Sequence, residues 1–457
     1  MSESVVTSET PAAPADFPTL GEATRVWLRI GCLSFGGPAG QIALLHREVV
    51  DERRWIGDRR FLHALNFCSL LPGPEAQQLA TYLGWLLHGP VGGFIAGLLF
   101  IIPGAIVMLA LSIIFVTLGD VPAIGALFFG LKCAVLVIVF QALFRVARRA
   151  LRGTVPWIMA AAAFAALFVF NLPFPAVVLG AALIGAILPK YFAGGSHGTA
   201  KDGPPALLDA AIAADPGYTR RLASGARRAG LFSLAVWLIP VALLLPLSGV
   251  YADIAWFFSK MAVVTFGGAY AVLAYVAQEA VEGYAWLSPA EMLTGLGLAE
   301  TTPGPLILVL QFVGFLAGAG AQSGLNGLWG GVLASGLTLW VTFAPCFAFV
   351  FLGAPAIEKL QDNAALSGAL AAITAAVVGV IANLALWFGL RVVFHRMATM
   401  DWGLATIDLP VPDSIDFLAL GIAVLAALAL FRFNVGIIRT LCLCSLAGLV
   451  LKAGFGL

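Results

Sequence analysis

Long apolar runs alternate with short polar breaks along most of the chain. A helix needs roughly 18 apolar residues to cross a bilayer, and runs of this kind cover 91–118, 123–144 and 366–390. Two further apolar runs cover 234–247 and 417–431. The short alternating segments typical of a membrane β-barrel do not occur. The pattern therefore predicts an all-α, polytopic membrane protein.

Other apolar segments stop early, at glycine and proline. The segment 20–33 ends at Phe-Gly-Gly-Pro, and the segment 61–71 ends at Pro-Gly-Pro. Each has about 11 to 15 residues and, at about 1.5 Å per residue, is too short to span a bilayer. Non-helical backbone at membrane depth is tolerated only where protein buries it or where it lines a water-filled cavity. We therefore predict that each half of the chain starts with broken or re-entrant helices, followed by four full spans.

The breaks occur twice, at a constant offset of 231 residues. The first copy contains Ser34-Phe-Gly-Gly, Glu48, Trp55 and Pro72-Gly-Pro, and the second contains Thr265-Phe-Gly-Gly, Glu279, Trp286 and Pro303-Gly-Pro. An internal repeat of this kind decides the fold class. In membrane transporters, matched Gly/Pro interruptions in two halves mark the substrate site.

The repeat divides the chain into five predicted segments. They are a disordered tail (1–19), an N-terminal transporter repeat (20–192), a cytoplasmic linker (193–227), a single span (228–248) and a C-terminal transporter repeat (249–457). Because the single span precedes only the second repeat, it would give the two repeats opposite orientations in the membrane.

Charge placement also predicts an inverted repeat. The connector 46–60 contains five arginines, whereas its counterpart 277–291 contains no lysine or arginine. Lysine and arginine in short loops face the cytoplasm. The connector is therefore predicted to be cytoplasmic in the first copy and external in the second, with 145–152, 220–228 and the N-terminus in the cytoplasm.

Composition excludes several classes of function. The chain is 61% hydrophobic and only 11% charged, against about 25% charged residues in soluble domains. A net charge of +1 gives no electrostatic basis for binding nucleic acid. The six cysteines and five histidines lack metal-site spacing, and no P-loop occurs. We therefore expect no metal, no cofactor and no ATP-driven step.

The breaks are candidates for binding an anion. A helix that restarts after glycine or proline presents free N–H groups and a positive dipole end. One such end contributes about 0.3–2 kcal/mol, whereas desolvating an ion costs several kcal/mol, so several ends must converge. The alternative is that these motifs are only close helix contacts and kinks. The candidate substrate-binding residues are Ser34, Gly36, Gly37, Gln41, Pro72, Gly73, Pro74, Gln78, Lys132, Thr265, Gly267, Gly268, Thr302, Pro303, Gly304 and Pro305.

Five charged residues near or within the apolar runs are further candidates. Lys132 lies inside a run where a charge costs at least about 2.5–3.5 kcal/mol, so it either binds the substrate or is paired or snorkelled. Arg29 and Lys260 occupy matching positions and either flank the two sites or anchor helices at the interface. Glu75 and Glu300 adjoin the Pro-Gly-Pro breaks and are candidate proton carriers, with a helix-dipole role as the alternative for Glu75.

Four motifs are similar to those of a known family. Phe35-Gly-Gly-Pro-Ala, Pro72-Gly-Pro, Gly97-Leu-Leu-Phe-Ile-Ile-Pro-Gly and Gly130-Leu-Lys-Cys-Ala-Val resemble the chromate ion transporter family in its long, two-domain form. The resemblance implies a bacterial inner-membrane protein that exports chromate, with sulfate as the related oxyanion. The second half departs from the first, since Leu306 is the counterpart of Glu75.

The leading hypothesis is therefore a secondary transporter, not an enzyme, that exports chromate along the membrane potential, with proton coupling left open. One alternative is a transporter of sulfate, another oxyanion or an organic carboxylate. The other is a membrane-embedded lipid-modifying enzyme, although no nucleophile or metal cluster can be assembled for it. The expected partners are chromate, sulfate and the lipid bilayer, and a homodimer is left open.

Overall fold

The computed structural model describes residues 17–192, 206–215, 217–266, 269–320, 327–356, 364–401 and 406–455. Within these ranges nearly all residues are helical, and five helices are long and apolar enough to cross a membrane. These are Glu75–Leu118, Pro122–Ala150, Arg221–Leu244, Leu328–Gly353 and Ala364–Val393. The prediction of an all-α, polytopic membrane protein is confirmed. Most of the predicted tail lies outside the described residues.

The first half contains seven helices among its described residues. They are α1 (Leu20–Leu33), α2 (Gly37–His46, continued by a π-helical turn over Arg47–Glu52), α3 (Asp58–Leu70), α4 (Glu75–Leu118), α5 (Pro122–Ala150), α6 (Thr154–Phe168) and α7 (Phe174–Ile187), followed by a 3₁₀ turn over Pro189–Tyr191. Helix α1 starts at a capping box in which Thr19 and Glu22 satisfy each other's backbone N–H groups. Helix α4 is two helical segments joined by a kink at His88 and Gly89.

The linker and second half follow the same order with additions. The linker contains the short helix α8 (Leu207–Ala214) and the start of α9 (Tyr218–Leu244), which continues into the predicted single span. The second half begins with α10 (Val250–Val264), α11 (Ala269–Gln278, then a π-helical turn over Glu279–Gly283), α12 (Pro289–Thr301), a 3₁₀ turn over Leu306–Leu308 and α13 (Val309–Ala319). It continues with α14 (Leu328–Gly353, then a 3₁₀ turn over Ala354–Ala356), α15 (Ala364–Val393), strands β1 (Met397–Asp401) and β2 (Thr406–Pro410), a 3₁₀ turn over Pro412–Ser414, α16 (Phe417–Ala427, then a π-helical turn over Leu428–Arg432) and α17 (Ile437–Phe455). The two strands form an antiparallel hairpin within the polar stretch 395–412, which separates the last two apolar runs.

The internal repeat extends to details of the backbone. Arg54 and its counterpart Ala285 both adopt a φ of 52°, a conformation uncommon for residues other than glycine. After each π-helical turn the same bond recurs: Trp55 N donates to Val49 O at 2.9 Å, and Trp286 N donates to its equivalent oxygen at 2.8 Å. The two connectors therefore share one backbone conformation although their charges differ.

The two halves interlock through their last helices. A Cβ added to Gly130 of α5 would lie 2.0 Å from the carbonyl oxygen of Cys444 in α17. A Cβ added to Gly379 of α15 would lie 2.1 Å from the carbonyl oxygen of Ala160 in α6. Small residues allow membrane helices to approach this closely. The hairpin of α6 and α7 thus packs against α15 of the second half, and the hairpin of α16 and α17 packs against α5 of the first half.

The prediction of four full spans in the first half is wrong. Helices α6 and α7 have 15 and 14 residues, which is about 22 Å of helix against a hydrocarbon core of about 30 Å. The apolar run between them is interrupted at Asn171, which adopts a φ of 47°, and at Pro173. After the breaks the first half therefore has two full spans and one short hairpin.

The linker is partly helical and docks on the first connector. Residues 193–205 and 216 lie outside the described part, but Leu207 N donates to Arg54 O at 3.1 Å. Arg60 Nε donates to Asp209 Oδ1 at 2.7 Å. Helix α9 begins at Tyr218, ten residues before the predicted start of the single span. One continuous helix, α9, thus joins the end of the linker to the predicted single span.

Candidate anion site

The broken helices of the two halves meet through a reciprocal pair of hydrogen bonds. Gly73 N donates to Thr265 O at 2.9 Å, and Gly304 N donates to Ser34 O at 2.9 Å. The donors are equivalent positions of the repeat, and so are the acceptors. Each Pro-Gly-Pro break is therefore bonded to the Ser/Thr-Phe-Gly-Gly break of the other half.

Glycine is required at both donors. Gly73 has a φ of 124° and Gly304 a φ of 94°, which a side chain adopts only under strain. A Cβ at Gly73 would also lie 3.0 Å from Cys346 Sγ of α14. Proline on either side supplies no N–H, so the glycine amide is the donor that each break offers.

The start of α2 faces open space. Gly36 and Gly37 have φ values of 88° and 73°, and a Cβ on either would meet no atom within 4 Å. Helix α2 begins at Gly37 with Pro38 in its first turn and has no side-chain cap. The helix therefore presents its positive end to a space that a ligand can enter. The equivalent Gly267 and Gly268 lie outside the described residues.

Two glutamines extend the contacts at the breaks. Gln41 Nε2 donates to Gly304 O at 2.6 Å, and Gln78 Nε2 donates to Pro72 O at 2.6 Å. Gln41 is 2% exposed and Gln78 is fully buried. Among the described residues, Gln78 Oε1, Gln311 Oε1 and the Thr342 hydroxyl are buried without a hydrogen-bond partner. Buried polar atoms normally have one, so these atoms are open to water or to a ligand.

The hydroxyl side chains of the breaks are closed to solvent, whereas the backbone at Gly36 is exposed. Ser34, Thr265 and Thr302 are at most 3% exposed. Two surface cavities of about 460 Å³ each, one beside Trp256 and one beside Trp55, are lined by none of these residues. The buried hydroxyl groups of the breaks thus form an occluded centre, next to which Gly36 is exposed.

Each half places one carboxylate beside its Pro-Gly-Pro break. Glu75 accepts a hydrogen bond from the Ser69 hydroxyl, and Glu300 Oε1 accepts one from the Tyr270 hydroxyl at 2.5 Å. Glu300 is the sequence counterpart of Ser69, the residue that donates to Glu75. Each half thus has a carboxylate in the same region of its fold, although the two carboxylates come from different positions of the repeat. Glu300 is 5% exposed. Sequence reasoning missed Tyr270, because nothing in the local pattern of α11 shows its partner on α12.

The candidate cations contact other groups. Arg29 Nε lies 3.5 Å from Glu48 Oε1. Lys260 Nζ lies 5.5 Å from the ring centroid of Tyr275. Lys132 Nζ lies 4.7 Å from the ring centroid of Phe129. Among the described residues, Arg29 therefore contacts the first connector, and Lys260 and Lys132 contact aromatic rings.

Gly104 of α4 packs directly against the second Pro-Gly-Pro break. A Cβ at Gly104 would lie 2.0 Å from the carbonyl oxygen of Pro303. One residue on, Ala105 O accepts a hydrogen bond from Gln311 Nε2 at 3.0 Å. The Pro-Gly pair in the middle of an otherwise apolar run was the sequence signal for this contact, but its partner lies almost 200 residues away.

Comparison with known proteins identifies the family. The chromate transporter family model matches residues 21–186 and 252–449, which include both copies of the breaks. The chain belongs to the chromate transporter family. The match confirms the resemblance inferred from the four motifs.

Three relatives illustrate how far the similarity extends. The chain is 32% identical over 385 residues to a chromate transport protein of Pseudomonas aeruginosa, covering 82% of each protein. It is 26% identical over 372 residues to a chromate transport protein of Cupriavidus metallidurans, covering 79% of this chain and 81% of the relative. It is 24% identical over 385 residues to an uncharacterized transporter of Methanocaldococcus jannaschii, covering 83% and 85%. No solved structure matches.

Proposed function

We propose that this protein is a secondary transporter that exports chromate across the bacterial inner membrane. Membership of the chromate transporter family supports the substrate, a tetrahedral dianion. The observation that carries the proposal is the reciprocal pair of hydrogen bonds from Gly73 to Thr265 and from Gly304 to Ser34. Converging helix breaks from two halves are how transporters build a midplane site.

Chromate export needs no ATP. Moving one charge through 100 mV is worth about 2.3 kcal/mol. A dianion that leaves a negative interior therefore gains about 4.6 kcal/mol, or about three decades of concentration ratio. The membrane potential alone is a sufficient driving force.

The substrate is held by the breaks and their polar neighbours. The open space beside Gly36 and Gly37 receives the anion at the positive end of α2. Ser34, Thr265 and Thr302 provide hydroxyl donors, although each now donates to a carbonyl one turn back in its own helix. The Thr342 hydroxyl, which has no partner among the described residues, is available without such an exchange.

If the two repeats have opposite orientations in the membrane, one half can rock against the other and expose the site to each face in turn.

A matched pair of cysteine variants tests the orientation. Arg59 and Ala290 are equivalent positions, both exposed, in the first and second connectors. In a cysteine-free background, an impermeant maleimide added to intact cells should label Ala290→Cys and not Arg59→Cys. Inverted vesicles should give the reverse, and labelling of both from one side would contradict the inverted repeat.

Glu300 is the proposed proton carrier, with Glu75 in the corresponding place of the first half. A dianion binds more favourably beside a protonated carboxyl group than beside a carboxylate, so proton and chromate move together. The pair then carries one net negative charge, for which 100 mV is worth about 2.3 kcal/mol. In proteoliposomes, a voltage negative on the chromate-loaded side should accelerate efflux, and acid on that side should accelerate it further. Glu300→Gln, which keeps an acceptor for Tyr270, should retain the voltage response and lose the pH response.

The exposed Glu52→Gln variant is the control for this experiment and should behave as the wild type. A Glu300→Gln protein that still responds to pH would remove the proton role from this residue. Efflux that ignores voltage would contradict the transport of net negative charge. Adding sulfate as a competitor measures how far the site distinguishes the two oxyanions.

A further inference from the structure

Two lysines from different halves of the chain share one aromatic ring. Lys132 Nζ of α5 lies 4.7 Å from the ring centroid of Phe129, and Lys452 Nζ of α17 lies 4.6 Å from the same centroid. Each contact is a cation–π interaction, which is worth most where water is excluded. Because both nitrogens are close to one centroid, the two positive charges lie within about 10 Å of each other.

Neither ammonium group has a carboxylate within 4.0 Å in the described part of the chain. Asp416 acts on Lys132 through space, but its Oδ1 accepts from Ala419 N at 2.9 Å to cap α16. Its other oxygen, Oδ2, lies 3.6 Å from His395 Nε2. Two like charges on half-buried side chains repel each other more strongly than they would in water. An anion bound beside the Phe129 ring, within reach of both ammonium groups, offsets that repulsion.

The fold holds the two lysines in place. Phe129 is only 8% exposed. Next to it, α5 and α17 pack backbone against backbone: a Cβ at Gly130 would lie 2.0 Å from Cys444 O, and one at Gly448 would lie 2.6 Å from Ala126 O. The pair is therefore a feature of a tight helix contact and not of two loose surface side chains.

The lysine pair is separate from the helix breaks. Leu131 of α5 lies against Gly297 of α12, the helix that leads to the second Pro-Gly-Pro. Lys132 is the next residue and lies about 100° further around the helix, and its Nζ contacts the ring that Lys452 of α17 also contacts. Lys132 also lies in the first half of α5, whereas the arginines 145–152, which are predicted to be cytoplasmic, lie at and beyond its other end.

We propose that Lys132 and Lys452 form a second anion station on the transport path, near the face opposite the arginines 145–152. The inference rests on the proposed function, because the anion it assigns to this station is the transported dianion. An oxyanion that leaves the occluded centre is received by two ammonium groups before it enters the solvent. The phosphate of a lipid headgroup shares this chemistry and is the competing source.

Transport kinetics measured separately from each face of the membrane test this second anion station. In Lys452→Met, the KM for chromate supplied to right-side-out vesicles should rise about tenfold, because that face carries the station. The KM measured in inverted vesicles should stay within about twofold of the wild-type value. Lys452→Arg keeps the charge and should restore the wild-type KM. Lys190→Met removes an exposed lysine of the short 3₁₀ turn and serves as the matched control.

The alternative outcomes are distinct. A KM that rises equally from both faces would assign the lysines to the central site, and an unchanged KM from both faces would remove the station. An effect of Lys452→Met seen only in vesicles that contain phosphatidylglycerol, and absent in pure phosphatidylcholine, would assign the pair to a lipid headgroup. Failure of the proposed function itself would appear as wild-type protein that moves no chromate in either direction.

Discussion

Gly104→Ala is expected to reduce chromate flux about 100-fold, since displacing a reacting or binding group by about 1 Å has effects of this size. The added methyl group would lie 2.0 Å from the carbonyl oxygen of Pro303. Both are backbone-anchored, so the second Pro-Gly-Pro break must move. That movement breaks the bond from Gly304 to Ser34 and opens one side of the occluded centre. Flux of radiolabelled chromate in proteoliposomes measures the effect.

Gly336→Ala is the matched control for Gly104→Ala. Gly336 lies in α14, and a Cβ added there meets no atom within 4 Å. Alanine also favours helix by up to about 1 kcal/mol over glycine, so this variant should be as stable as the wild type or more so, with unchanged flux. If Gly104→Ala transports at the wild-type rate while remaining folded, α4 does not position the second break.

Glu48→Ala is expected to lower the free energy of unfolding by about 2 kcal/mol, because hydrogen bonds to charged groups are worth about 1.5–3 kcal/mol each. The Glu48 side chain is fully buried and lies 2.5 Å from Arg53 Nη1, with Arg29 Nε at 3.5 Å. Removing it leaves the Arg53 guanidinium, whose side chain is 23% exposed, without its closest acceptor. Partial exposure of both arginines keeps the loss below that of a fully buried pair. Thermal unfolding of the detergent-solubilised protein measures it.

Glu52→Ala tests whether burial is the cause. Glu52 lies in the same π-helical turn, but its side chain is 45% exposed and its contacts with Arg47 and Arg53 are both 3.5 Å. Exposed ion pairs contribute about 0–1 kcal/mol, so this variant should unfold close to the wild-type temperature. Equal losses in the two variants would show that the charge of the turn matters and the burial of Glu48 does not.

The sequence predicted the fold class well because hydrophobic runs and glycine or proline breaks are local signals. The lengths of α5, of α15 and of the segment of α4 after its kink at His88 and Gly89 follow from their apolar runs. The prediction failed at Asn171, where a left-handed residue divides an apolar stretch into two short helices. It also missed the hairpin of β1 and β2, although Ile407 and Leu409 of β2 alternate with polar residues, because strands of five residues carry only a short pattern.

The candidate site was predicted in its residue types but not in its pairings. The spacing of the two breaks predicted that Gly73 and Gly304 matter, yet only the folded chain pairs each with the other half. Tyr270, which donates to Glu300, and Lys452, which shares the Phe129 ring with Lys132, both come from other helices. The hydrophobic periodicity of one segment carries no information about which distant segment its side chains will contact.

By itself, the sequence determined that this chain is a duplicated helical membrane protein with helix breaks at 34–37, 72–74, 265–268 and 303–305. These features depend on the bilayer, on glycine and on proline, and each acts within a few residues. Only the tertiary structure decided that the halves interlock through α5 and α15 and that their breaks bond reciprocally. Such contacts join residues hundreds of positions apart, and they form because buried backbone N–H and C=O groups in a membrane must find partners inside the protein.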